Sequence, residues 1–247
     1  MTTTGAAALP DFDPAPNQGG HVHLYEAENR AFDPDGHVLA AMRARAPWAG
    51  RALLDLGCGS GYWLARYAGE AAAVTGVEPD PRLLPLAAAR DPRARVLRGS
   101  AEHIPLGDQS VDVVHARFAY FFPPGCEAGL AEVMRVLRPG GALVVVGNDL
   151  RAGEFAELLR AAAGMMMVAG GPATDAWWAA RGAERATVRS RWQFASRAEF
   201  EAVLRMEFPL RVADPWLAAH PRAAGLSYSY TLFTARKPNG GLLRGFA

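Results

Sequence analysis

A short apolar run that leads directly into three closely spaced glycines constrains this chain more than any other feature. The segment 51–56 is too short for a helix, and its apolar character predicts a central parallel strand buried on both faces. Glycines permit positive φ and let a ligand lie against the backbone. The helix predicted over 62–69 would point its free N–H groups at such a ligand. The glycines are Gly57, Gly59 and Gly61, with Cys58 between the first two.

The spacing of these glycines helps to identify the ligand. A dinucleotide fingerprint has the spacing G-x-G-x-x-G, whose third glycine would fall at the position of Tyr62. The third glycine instead comes one residue earlier, at Gly61. Asp55 precedes the turn, at the carboxyl end of the predicted strand, where open α/β sheets bind their ligands. The pattern therefore predicts a ligand-binding strand-turn-helix unit that differs from the dinucleotide type.

Composition and charge narrow the class of partner. The chain has 247 residues, of which 50% are hydrophobic and 21% charged, as expected of a globular domain with additions. A net charge of +1 provides no global field for nucleic acid or an anionic membrane. The two cysteines have no metal-ligand spacing, so we expect neither a metal site nor a disulfide framework. Without a signal-peptide pattern or a bilayer-length apolar run, the sequence predicts a cytoplasmic protein, and its oligomeric state stays open.

A second buried strand is predicted over 73–78, and it ends in an acidic residue. Glu78 lies 17 residues beyond Gly61 and is followed by Pro79, from which the next helix is predicted to begin. A carboxylate at this strand end can accept hydrogen bonds from both ribose hydroxyls of an adenosine cofactor. Because dinucleotide folds contain the same element, Glu78 predicts adenosine more firmly than it predicts any particular cofactor.

Four further elements follow in order. A third strand over 95–98 leads into the segment 99–106, and a fourth over 111–116 leads to Arg117, Phe118 and Tyr120. A helix over 126–137 with apolar residues at helical spacing then precedes a turn, 138–141, and a strand, 142–146. His115 lies within the fourth strand, so we interpret it as a core residue.

From 51 to 146 these elements resemble those of the class I S-adenosylmethionine-dependent methyltransferases that act on small molecules. The glycine turn resembles the family's first motif, and the strand at 111 resembles its "FDVV" strand, with Val111 in place of phenylalanine. The string from Glu132 to Gly141 matches the family's helix-turn-strand. At the third cofactor segment Ser100 replaces the usual aspartate, so side-chain recognition of the adenine amino group is not expected from that position.

The resemblance implies an α/β fold: a doubly wound, mostly parallel Rossmann-like sheet with an antiparallel last strand and a helical cap. We expect residues 1–20 to be a flexible tail and 21–247 a single domain. Within it, 21–46 would be a helical lid, 51–149 the cofactor-binding core, 150–225 the cap and 226–236 the last strand. The implied cofactor is S-adenosylmethionine. Its predicted binding residues are Tyr25, Asp55, Gly57, Cys58, Gly59, Gly61, Glu78, Pro79, Ser100, Ala101, Glu102 and Arg117.

The predicted reaction is in-line methyl transfer to a small, partly aromatic or apolar metabolite, driven mainly by positioning. The candidate bases are His23, from the lid, and Tyr120, beyond the fourth strand. Trp177 and Trp178 are expected at the front of the pocket together with Tyr25. Two alternatives stay open: an S-adenosylmethionine-binding protein with another role, and a nucleotide-dependent oxidoreductase.

Overall fold

The computed structural model describes residues 9–12, 20–165 and 170–239. Two helices precede the first strand, and strands and helices then follow one another along the chain. The helices are α1 Val22–Ala31, α2 His37–Arg45, α3 Leu64–Ala68, α4 Leu84–Arg90, α5 Glu127–Val136, α6 Glu154–Ala162, α7 Pro172–Ala179, α8 Arg197–Glu207 and α9 Leu210–Ala219. The strands are β1 Ala52–Leu56, β2 Ala73–Glu78, β3 Ala94–Arg98, β4 Val111–Arg117, β5 Leu137–Asn148, β6 Glu184–Gln193 and β7 Gly225–Arg236.

The seven strands form one sheet in the order β3-β2-β1-β4-β5-β7-β6. Strands β1 to β5 pair in parallel, whereas β7 is antiparallel to both β5 and β6. The strand order reverses between β1 and β4, which places a topological switch point at their carboxyl ends. This architecture confirms the predicted doubly wound sheet with an antiparallel last strand.

Alternation along the central strands divides the apolar residues between the two faces of the sheet. On one face, Leu53 of β1 and Val113 of β4 pack in a cluster with residues of α2, α3, α6, α8 and α9. On the other, Leu54 and Val114 pack in a second cluster with residues of α5 and α7. Because both faces of the sheet are covered, every residue of β1 except Asp55 is apolar. Asp55 lies near the carboxyl end of the strand, at the candidate site.

Two element boundaries differ from the prediction. The helix expected from Pro79 onward begins only at Leu84, with Pro85 in its first turn. The Asp80 carboxylate accepts a hydrogen bond from the Arg82 N–H at 2.9 Å, which holds the intervening residues as a turn instead. Strand β5 begins at Leu137 rather than at 142, and its pairing with β4 shifts register between Val111 and Val113.

The outer part of the chain completes the sheet edge. Strand β6 is the edge strand, as its alternating pattern indicates. At the start of α8 the Ser196 hydroxyl accepts a hydrogen bond from the Glu199 N–H at 3.1 Å, whereas the Glu199 carboxylate pairs with Arg30. Only half of a capping box is therefore formed. In the described part of the chain, no helix combines the length and apolar character that crossing a membrane requires.

Most of the predicted N-terminal tail, 1–8 and 13–19, lies outside the described residues. Residues 9–12 form a turn in which the Phe12 N–H donates to the Leu9 carbonyl at 3.1 Å. This turn lies against the loop that follows β3, through a contact between Asp11 and Glu102.

Candidate cofactor-binding site

The glycine turn after β1 has the backbone that its sequence requires. Gly57, Gly59 and Gly61 all have positive φ, at 70°, 58° and 76°. A side chain at Gly57 would place its Cβ 2.5 Å from the Cβ of Ala119. The N–H groups of Gly57 and of the buried Cys58 donate to the Val77 carbonyl at 2.8 and 3.1 Å. The turn is thereby fixed to the carboxyl end of β2.

Tyr25 covers the middle of this turn. A Cβ added at Gly59 would collide with the Tyr25 hydroxyl, so the tyrosine ring occupies the space that the glycine leaves open. Burial raises the pKa of Tyr25, which keeps its hydroxyl protonated and able to donate. Helix α1 therefore contributes a polar group directly over the predicted cofactor turn.

Glu78 ends β2 with its carboxylate turned toward the same turn. One carboxylate oxygen accepts a hydrogen bond from the Gly59 N–H at 2.8 Å, and the other accepts one from the Asp80 N–H at 2.9 Å. Burial raises the pKa of Glu78 to about 7, although both N–H groups act in the opposite direction. Each oxygen keeps a further lone pair, so the carboxylate can still accept a hydroxyl donor.

Asp55 and Arg117 form a buried ion pair across neighbouring strands. The Arg117 Nη2 lies 3.1 Å from the Asp55 Oδ2, and the two side chains are 10% and 0% exposed. Burial raises the pKa of Asp55, and the charge of Arg117 partly offsets that shift. The guanidinium also lies over the ring of Trp63, 4.4 Å from its centroid. Its Nε has no hydrogen-bond partner among the described residues, which leaves donor capacity for a carboxylate.

The loop after β3 carries further polar groups beside Glu78. Ser100 is buried, and its hydroxyl has no hydrogen-bond partner within the described ranges. Ala101 is buried next to it, whereas Pro79 is half-buried after β2. The Glu102 carboxylate accepts a hydrogen bond from the Tyr120 hydroxyl at 2.7 Å, which links this loop to the segment beyond β4.

The segment beyond β4 has a strained backbone. Phe118 and Tyr120 adopt φ values of 50° and 56°, a left-handed conformation that is uncommon for bulky residues and that occurs where structure or function requires it. The Phe118 ring is half-buried and meets the rings of Phe32 and Tyr230 at 5.9 and 6.1 Å between centroids. The half-buried Phe118 therefore joins the aromatic core to the segment beyond Arg117.

The two predicted bases lie in different surroundings. His23 is exposed on α1, and its ring is 6.4 Å from that of His21. The Tyr120 hydroxyl donates to Glu102 and accepts from the Gly129 N–H at 3.1 Å, and burial raises its pKa. Both catalytic roles stay predictions. His115 is fully buried, with its pKa lowered to about 3 by burial, so it packs as a neutral ring in the core.

The sequence interpretation of the cap is wrong for Trp178. Trp178 is fully buried, with its ring stacked on Phe233 at 5.4 Å between centroids, so it is a core residue rather than part of a pocket front. Asp11 lies in the predicted tail, and its carboxylate accepts a hydrogen bond from the Glu102 N–H in the loop after β3 at 3.2 Å. No local pattern marks Asp11, because its partner Glu102 is 91 positions away. Of the residues described, no group of histidines, cysteines and acids is arranged to hold a metal ion.

Comparison with known proteins identifies the domain. Residues 54–145 match the family described as "Methyltransferase domain". An uncharacterized methyltransferase of Mycobacterium tuberculosis is 38% identical over 142 residues, covering 57% of this chain and 56% of that protein. The malonyl-[acyl-carrier protein] O-methyltransferase of Serratia marcescens is 34% identical over 123 residues, covering 50% and 47%. The chain thus spans about half the length of the curated relatives that it matches.

A solved structure with the same fold has a different activity in its name. The [4+2]-cyclase SpnF superposes with a TM-score of 0.55 at 22% sequence identity, covering 82% of this chain and 80% of that one. The likeness supports the fold alone. The matched domain contains β1 to β4 together with α3 to α5, and it includes the glycine turn, Glu78 and Arg117. Residues 54–145 of this chain are therefore similar to the methyltransferase domain of the class I S-adenosylmethionine-dependent methyltransferases.

Proposed function

We propose that this protein transfers a methyl group from S-adenosylmethionine to a small, partly aromatic or apolar metabolite. The observation that carries the proposal is the meeting of three polar features at one edge of the sheet. The glycine turn follows β1, Glu78 ends β2, and the Asp55–Arg117 pair joins β1 to β4. This edge is where open α/β sheets bind ligands.

The residues present fit the parts of the cofactor. The Glu78 carboxylate has acceptor capacity for the ribose hydroxyls and lies at the glycine turn. Asp55 and Arg117 provide opposite charges for the ammonium and carboxylate groups of the methionine part. The unpartnered Ser100 hydroxyl and the Ala101 and Glu102 backbone lie toward the other end, where an adenine would be bound.

The chain's own contribution is mainly alignment. When bound, S-adenosylmethionine supplies a methyl group already activated on a sulfonium. Arg117, Asp55 and Glu78 fix the two ends of the ligand, and Tyr25 covers the turn between them. Holding the reacting groups in line and excluding water can lower a barrier by about 7–11 kcal/mol.

The aromatic residues beyond β4 support a flat or apolar acceptor. The half-buried Phe118 follows Arg117 and packs on the buried rings of Phe32 and Tyr230, and Phe122 is 38% exposed in the same segment. Aromatic faces provide apolar area and attract a positively charged group. A general base would add about 10²–10⁴-fold if the acceptor must lose a proton. His23 and Tyr120 are the candidates for that role.

A second candidate is an S-adenosylmethionine-binding protein with a role other than methyl transfer. The [4+2]-cyclase with the same fold supports keeping it, because the fold is compatible with more than one reaction. A nucleotide-dependent oxidoreductase is less well supported, since Tyr62 occupies the position of the dinucleotide fingerprint's third glycine.

Calorimetry and a turnover assay test the proposal together. The parent protein should bind S-adenosylmethionine and S-adenosylhomocysteine but not NAD, and Glu78→Ala should weaken that binding strongly. Glu157→Ala, which removes an exposed carboxylate from α6, is the matched control and should bind like the parent. Release of S-adenosylhomocysteine with a panel of small aromatic and apolar acceptors, or with a malonyl thioester tested beside them, would support methyl transfer. Binding without turnover on any acceptor would favour the second candidate, and parental binding by Glu78→Ala would refute the placement of the ribose.

A further inference from the structure

The turn formed by residues 9–12 places an acidic side chain at the loop that follows β3. The Phe12 N–H closes the turn on the Leu9 carbonyl at 3.1 Å, and Pro10 has the fixed φ that favours such a turn. Asp11 follows Pro10, and its side chain is only 6% exposed. An acidic residue this deeply buried needs hydrogen-bond donors for both of its oxygens.

The Asp11 carboxylate has one oxygen with a donor and one without. Its Oδ2 accepts a hydrogen bond from the Glu102 N–H at 3.2 Å. Its Oδ1 is buried and has no hydrogen-bond partner among the described residues. The Nδ1 of His103 lies 3.9 Å from it, beyond hydrogen-bond distance, and that ring is 67% exposed. The arrangement leaves one buried carboxylate oxygen without a donor.

A second polar atom in this loop is also without a partner. The Ser100 hydroxyl is buried and has no hydrogen-bond partner within the described part of the chain. Ser100 and Glu102, to which Asp11 is bound, lie two positions apart. Two buried polar atoms without partners, one in this loop and one on the side chain bound to it, indicate a ligand that interacts with them.

The strand order indicates which part of the cofactor lies there, and this step rests on the proposed function. Strand β3 is adjacent to β2, on the side away from β1. Neighbouring strands are about 4.8 Å apart. A ribose held by Glu78 at the end of β2, with the methionine part over β1 and β4, therefore directs the base toward the loop after β3. The loop 99–103 then faces the edge of the adenine.

We propose that Asp11 recognises the adenine by accepting a hydrogen bond from its exocyclic amino group at Oδ1. The Glu102 N–H holds the carboxylate in place through Oδ2. Ser100 provides no charged acceptor, so a residue 89 positions earlier in the chain supplies it. Asp11 is thus a specificity-determining residue of the cofactor site that comes from outside the matched domain.

The competing interpretation is that Asp11 blocks the base site and must leave before the cofactor binds. A blocking carboxylate would be stabilised by donors to both oxygens in the cofactor-free protein. The open Oδ1 argues against that, because leaving a buried charged acceptor unsatisfied costs free energy that a ligand's donor recovers. The two interpretations predict opposite effects of removing the carboxylate.

Calorimetry with two ligands separates them in the full-length protein. The ligands are S-adenosylhomocysteine and its analogue with unsubstituted purine, which lacks the 6-amino group and keeps the ring nitrogens. Asp11→Ala should weaken S-adenosylhomocysteine about 10- to 100-fold, the range for a hydrogen bond to a charged group. The analogue should bind the parent and Asp11→Ala with nearly equal affinity. Asp35→Ala, which removes an exposed acid paired with Arg191, should change neither affinity.

Each other result overturns the proposal in a recognisable way. Tighter binding of S-adenosylhomocysteine by Asp11→Ala would show a blocking residue. Equal weakening of both ligands would show that Asp11 only shapes the loop, and unchanged affinities would show that it does not meet the base. Failure of the parent to bind S-adenosylhomocysteine at all would instead refute the proposed function, and this inference with it.

Discussion

Replacing Arg117 by methionine tests whether the buried ion pair organises the site. Methionine keeps much of the apolar length of arginine but leaves the fully buried Asp55 carboxylate without its cation. Removing one partner of a buried pair costs about 3–5 kcal/mol, because an uncompensated charge remains. At about 2–4 °C per kcal/mol for a chain of this size, the melting temperature should fall by about 6–20 °C.

The pH dependence of this loss identifies its cause. In the variant, burial acts on Asp55 without the opposing charge of Arg117, so the folded-state pKa of this carboxyl rises further above its unfolded value. An acid with a raised folded-state pKa destabilises the folded protein at high pH, and the cost disappears as the pH falls below the unfolded-state pKa. Urea unfolding should therefore show that the loss of stability of Arg117→Met relative to the parent becomes smaller as the pH is lowered from 8 to 4.

A matched control and a double variant complete this test. Arg191→Met breaks an exposed pair with Asp35, which should cost less than about 1 kcal/mol. Asp55→Asn in the Arg117→Met background should recover part of the loss, since no buried charge then remains. The reasoning would be refuted if Arg117→Met and Arg191→Met had equal urea midpoints. It would also be refuted if the loss of stability of Arg117→Met relative to the parent grew as the pH falls.

Three further predictions concern neighbouring groups. Glu78→Gln should become more stable relative to the parent as the pH rises from about 4.5 to about 7, because the parent must ionise a buried carboxyl of raised pKa. Urea midpoints of both proteins at these two pH values measure the difference. Gly129→Ala should lower the melting temperature, since its Cβ would lie 2.8 Å from the Tyr120 Cζ, whereas Gly147→Ala meets nothing within 4 Å and should be mild. Turnover by His23→Ala and Tyr120→Phe decides whether either is the base; parental rates in both would leave positioning alone.

Much of the sheet could be predicted because its signals are local. The apolar run of β1 predicts a strand, and the three glycines that follow predict positive φ. The structure has positive φ at all three glycines. The order of the strands is not local, and it came from the resemblance to a known family. Predicted element boundaries were wrong where a side-chain hydrogen bond determines the boundary. At Asp80, for example, the carboxylate accepts a hydrogen bond from the Arg82 N–H, and α4 begins only after this turn.

The pairs that build the site could not be obtained from spacing. Asp55 and Arg117 are 62 positions apart, and they meet because β1 lies beside β4 in the sheet. Asp11 meets Glu102 across 91 positions without any periodic pattern on either side. A large aromatic residue such as Trp178 is expected in a lid as well as in a core. Its packing on Phe233 in the structure shows that it is a core residue. Such contacts depend on tertiary packing, which sequence periodicity does not encode.

The site combines groups that the sheet fixes with groups that the N-terminal segment brings. Asp55, Glu78 and Arg117 lie at the ends of buried strands, so their relative positions follow from the pairing register. Tyr25 and Asp11 come from the chain before β1, on α1 and on the turn 9–12. Both lie over the groups fixed by the sheet, Tyr25 at Gly59 and Asp11 at the loop after β3. Under the proposed function, the sheet would align the reacting groups, because its interior strands are held by apolar packing on both faces. The N-terminal segment would add contacts to the cofactor from the opposite side.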